Sequence, residues 1–230
     1  MTDGPKEKTV TYEYRFSDGR RERFDLTFSS DMALNWGREE PWTELSFHRC
    51  DHCPLGEAGH CPFAKAMVPV MERFSGDLSY TPVTITVHLG NKVVQAERAL
   101  QHGLSPMIGL IGATTGCPHL EFFRPMARTH LPFADEQDTL FRLIGSHLLG
   151  QYFARGRGTA AVSLDFPGLA LSCANAAKVN RFMAGRIRAV SRNDAVVNAL
   201  ITLDSGIQTM PYVIEDELED IAWLYQGAEK

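Results

Sequence analysis

The sequence predicts an α+β protein: an N-terminal antiparallel β-sheet with one helix, followed by a larger C-terminal helical bundle. Three observations carry this. Segments before about residue 98 alternate apolar and polar residues with the period of a strand. Two of the breaks between them carry the short glycine signals of tight hairpins. Beyond residue 98 the apolar spacing becomes helical for the rest of the chain.

"TVTYEYRF" and "ERFDLTF" are rich in β-branched and aromatic residues and flank Asp18-Gly19, which predicts an opening hairpin. "WTELSF" alternates again and is expected to form a short strand delivering the chain to His48 and Cys50. From Pro62, the residues Phe63, Ala66, Met67, Val70, Met71 and Phe74 follow helical spacing, with Pro69 expected to bend or shorten that helix. "PVTITVHL" and "KVVQAE", split by Gly90-Asn91, predict a second hairpin. Later helices are expected over about 98–113, 118–129, 135–155, 167–204 with a break near Asn193-Asp194, and 214–226. Asp135 suits an N-cap, and "RGRGTAA" reads as a linker. The expected division is 1–97 for the sheet layer and 98–230 for the helical part, with one continuous domain as the alternative.

The composition is that of an ordinary soluble globular chain, 44% hydrophobic and 22% charged, with no apolar run of the ~20 residues that a spanning helix requires. A formal charge of -5 argues against general nucleic-acid binding. The basic residues Arg181, Arg186, Arg188 and Arg192 are expected on a solvated helix face. The opening residues lack the apolar core of a secretory signal, so a cytoplasmic location is expected, where thiols stay reduced.

Three of five cysteines fall within "FHRCDHCPLGEAGHCPFA". Cys50 and Cys53 are one tight turn apart, as in many metal sites, and Cys61 follows eight positions later. Cys117 in "TTGCPH" is the natural fourth ligand: Gly116 permits an unusual turn, and Pro118 suits the start of a helix whose free N–H groups would stabilise a thiolate. The alternative is a set of unrelated buried cysteines, which three thiols in a polar, His-rich loop fit poorly. Cys173, on an apolar helical pattern, is expected in the core. The neighbouring His48, His52, His60 and His119 could each replace one cysteine or orient the ligands from behind, with bystander roles as the alternative, and His60 and His119 are the leading substitutes.

Four thiolates suit zinc or a 4Fe-4S cluster. The prolines after Cys53, Cys61 and Cys117 lean toward the cluster, and the prevalence of four-cysteine zinc sites puts zinc slightly ahead. A closed zinc site has no open position, so a structural or regulatory centre in a binding or assembly module leads. The alternatives are an electron-transfer protein and a metalloenzyme in which Arg124, Arg128 and His130 hold a small anionic ligand. A thioredoxin-like dithiol does not fit the context of Cys50 and Cys53, and phosphate-loop, H-E-x-x-H and G-x-S-x-G motifs are absent.

The runs His48 to Leu55, His60 to Pro62 and Gly116 to Pro132 together resemble a family of uncharacterised bacterial proteins. The resemblance extends from the opening hairpin to "PYVIED". It implies that Cys50, Cys53, Cys61 and Cys117 act as one unit, and it implies no reaction.

Overall fold

A computed structural model describes residues 7–157 and 166–216, with the side chains of 167 and 211–216 left out of the description. Strands β1 (Lys8–Phe16) and β2 (Arg21–Phe28) form the first hairpin, and β3 (Pro82–Leu89) and β4 (Lys92–Ala99) the second. They join into one antiparallel sheet in the order β2-β1-β3-β4, so the two hairpins meet through β1 and β3. Alternation places Val10, Tyr12, Tyr14 and Phe16 of β1 inside, together with Phe24, Leu26 and Phe28 of β2 and Val83, Ile85 and Val87 of β3. That single inward face is what the helices cover.

Helix α1 (Pro62–Phe74) and helix α2 (Leu100–Thr114) lie next to each other, and α2 is apolar nearly all round, as a helix enclosed by others must be. Then follow α3 (Arg124–Arg128), α4 (Glu136–Gly156), α5 (Pro167–Arg188) and α6 (Ala195–Asp216). Helices α5 and α6 form an antiparallel pair around the break expected near Asn193-Asp194, and α6 packs along α2. Asp135 caps α4 by accepting a hydrogen bond from the Asp138 N–H at 2.7 Å. One core runs from Val10 in the sheet to Leu200 in α6, so the sheet layer and the helical part share their interior. A smaller cluster of Leu140, Leu143, Leu169, Cys173 and Met210 joins α4, α5 and α6.

Three expectations change. "WTELSF" forms no strand: Pro41–Thr43 is a 3-10 turn in which the Thr43 hydroxyl accepts a hydrogen bond from the Glu40 N–H at 3.1 Å. The alternation survives, with Thr43 and Leu45 buried, yet the only ladder contact is a bridge from Glu44 to His60. The expected helix 118–129 is divided into a 3-10 turn at Glu121–Phe123 and the short α3. Pro125 has no N–H to offer the Glu121 carbonyl, which instead accepts from the Arg124 N–H. Helix α1 continues past Pro69 to Phe74, so the proline does not shorten it. The Lys65 carbonyl, which Pro69 cannot serve, lies against Gly37, at φ 88°, where even an added Cβ would meet that oxygen at 2.1 Å. The helix expected over 214–226 and the linker "RGRGTAA" fall mostly outside the described residues.

Candidate metal centre

The first three cysteines are set by the loop between the Pro41–Thr43 turn and α1. The Cys53 N–H bonds to the Cys50 carbonyl at 3.2 Å, closing the expected tight turn. At the far end, the Cys61 N–H bonds to the Thr43 carbonyl at 2.8 Å, and Leu45 N–H to Gly59 O at 2.9 Å. The loop is thus pinned where it leaves and where it returns, and Pro62 then opens α1 directly after Cys61. Within it, Arg49 donates to the carbonyls of Cys53 and Leu55.

Cys117 comes from the turn that follows α2. Gly116, at φ 83°, turns the chain sharply after α2, in a conformation that a side chain would resist. The Leu120 N–H bonds to the Cys117 carbonyl at 2.9 Å, and the nearby backbone N–H groups of His119 and Leu120 favour the thiolate form of Cys117.

Cys50, Cys53, Cys61 and Cys117 line one small cavity of about 20 Å³, enough for a single water-sized occupant. Among the described residues, no three His, Cys, Asp or Glu side chains already form a grouping that could hold an ion, so a coordination shell would require the thiols to draw closer. All five cysteines are free thiols. Burial, reinforced by the neighbouring sulfurs, pushes the Cys50 thiol up to about 12. Burial pushes Cys117 up to about 11, outweighing the two amide donors beside it. The expected stabilisation of a Cys117 thiolate by its position is therefore overridden by desolvation. Both thiols stay protonated at neutral pH unless a cation replaces their protons.

The histidines separate. His48 and His119 line the cavity. His119 stacks on His52 with ring centres 4.2 Å apart, and its Nε2 is 2.8 Å from the His52 carbonyl. His52 in turn reaches the Asn175 carbonyl of α5 at 3.2 Å. His60 is not in the cavity wall: its Nδ1 lies 2.8 Å from the Thr43 hydroxyl, and its Nε2 is 3.5 Å from Glu39.

Arg124, Arg128 and His130 are likewise absent from that wall. Arg124 lies 3.8 Å from Glu121, and the Arg128 carbonyl accepts from Lys8 at 2.6 Å. His130 is half-buried, 2.6 Å from the Tyr12 hydroxyl, and desolvation with help from the positive charges of Arg142 and Lys8 pushes it down to about 3. It borders a much larger opening of about 810 Å³ along α2 and α6.

The residue that sequence reasoning misplaced is Arg186. Arg181, Arg188 and Arg192 are exposed as expected, but Arg186 is 3% exposed and lies in the cysteine cavity wall with Val179, Phe182 and Met183. The signal was available: Val179, Phe182, Met183 and Arg186 follow i, i+3, i+4, i+7 spacing and so share one helix face. Nothing in the sequence says that this face meets the cysteine loop.

The fold and the site therefore define an α+β protein whose two halves enclose a four-thiol pocket. The chain belongs to the family described as domain of unknown function (DUF6901), whose model matches residues 10–226. No curated protein and no solved structure matches the sequence.

Proposed function

We propose that this protein binds one zinc ion through Cys50, Cys53, Cys61 and Cys117, in a structural or regulatory role, and acts as a cytoplasmic binding or assembly module. The observation that carries the reading is that thiols from two distant stretches of sequence line a single cavity, while Cys173 lies in a separate cluster. The donor set suits zinc, and the backbone N–H groups near Cys117 favour its thiolate over a neutral thiol. Five free thiols suit a reducing compartment. When bound, the ion would supply cross-linking of the loop to the turn after α2, and its entry would release the Cys50 and Cys117 protons.

Protein purified without oxygen is expected to be colourless and to contain one zinc per chain by elemental analysis. Cys117→Ser is expected to lose stoichiometric zinc, while Cys173→Ser keeps it. Iron with visible absorption would replace zinc by an iron–sulfur cluster on the same thiols. Wild-type protein that carries no metal, and takes up none when zinc is added under reducing conditions, would refute the reading.

A further inference from the structure

Arg186 is the only lysine or arginine in the wall of the cysteine cavity among the described residues. Its Nη1 donates to the Trp42 and Glu44 carbonyls, each at 2.7 Å, and its guanidinium lies 5.8 Å from the centre of the Phe47 ring. These contacts fix it at the base of the loop that carries Cys50, Cys53 and Cys61. No described carboxylate pairs with it, although a buried arginine ordinarily requires a counter-charge. A buried cation without an anion is costly, and so is a buried anion without a cation.

A divalent ion held by four thiolates has a net charge of minus two, which a partly buried, largely apolar wall stabilises poorly without a nearby cation. Resting on the zinc reading above, we propose that Arg186 is the built-in counter-charge of the loaded centre, a positioning residue that makes metal entry and the docking of α5 against the cysteine loop a single event. Loading then joins three segments: the loop through three sulfurs, the turn after α2 through Cys117, and α5 through the guanidinium. The bridge from His52 to the Asn175 carbonyl closes the same three-part contact from its other side. The state without metal leaves Arg186 uncompensated, so the contact between α5 and the loop is the part of the molecule that metal stabilises most.

The test compares wild type with Arg186→Lys, which keeps the charge, and Arg186→Gln, which keeps hydrogen bonding without it. Zinc affinity is measured by competition with a chromophoric chelator, and amide hydrogen exchange is followed along α5 with and without zinc. Arg186→Gln is expected to bind zinc about 10- to 100-fold more weakly, as removal of a group supporting metal ligands typically does, with Arg186→Lys in between. Zinc is expected to slow exchange in α5 of the wild type and to lose most of that effect in Arg186→Gln. Equal affinities for Lys and Gln variants, or zinc protection of α5 unchanged in Arg186→Gln, would overturn the role of Arg186 while leaving zinc binding intact. Absence of zinc binding by the wild type would overturn both.

Discussion

His130 is expected to behave as a neutral core residue, and acid is the perturbation that exposes it. Its ring lies against the Tyr12 hydroxyl, which is itself fully enclosed, among groups that include the positive charges of Arg142 and Lys8. Burial pushes it down to about 3, against an ordinary value near 6.5. Because the folded value is below the unfolded one, the unfolded chain binds the extra proton between pH 6.5 and 3. The contribution of His130 is therefore intact above about pH 6.5 and is lost as pH falls toward 3. For one proton the slope is at most about 1.4 kcal/mol per pH unit, which amounts to roughly 3 kcal/mol at pH 4.5. The assay is urea unfolding of wild type and His130→Gln at several pH values from 7.5 to 4.5 with zinc held saturating or removed throughout. Carboxylate titration and the cysteine site contribute to both proteins, so the difference in slope isolates the imidazole. Glutamine can keep a hydrogen bond to Tyr12 without titrating, and its curve is expected to be flatter over this window. Parallel pH profiles would refute the burial argument and return His130 to the candidates for an accessible anion-binding group.

Two further outcomes follow from local geometry. Gly37→Ala places a methyl where the Lys65 carbonyl already lies, in a backbone conformation that alanine resists, and should lower stability by about 2–5 kcal/mol as read from the thermal midpoint. An unchanged midpoint would mean that the contact between the loop and α1 is looser than described. Asp135→Ala removes the cap of α4 and should cost about 1 kcal/mol, with Asp135→Asn recovering most of it.

Much of the architecture was legible because it depends on local periodicity. The sheet strands bury alternate residues, and α4 begins after the aspartate that suits a cap. The errors fall where a backbone donor is missing or where a strand lacks a partner. "WTELSF" has the burial rhythm of a strand, but Thr43 closes a turn onto Glu40, and its pairing with residues 59–61 amounts to a single bridge, Glu44 to His60. Pro125 removes the donor that would have continued a helix from residue 118. Pro69, by contrast, is accommodated because Gly37 lets a neighbouring loop lie against the freed carbonyl.

The sequence by itself determined the α+β class, the short-range turn of Cys50 and Cys53, and the choice of Cys117 over Cys173 as the companion of the loop, since each rests on spacing and residue chemistry within a short window. Only the tertiary structure decided what surrounds the thiols. It turned His60 toward Thr43 and Glu39, set His119 over His52, enclosed His130 with Tyr12, and brought Arg186 from an apparently solvated stripe into the cysteine cavity. The reason is physical: helical spacing fixes which residues share a face, while the partner of that face depends on how distant elements pack around a common core, and burial there sets charge and reactivity.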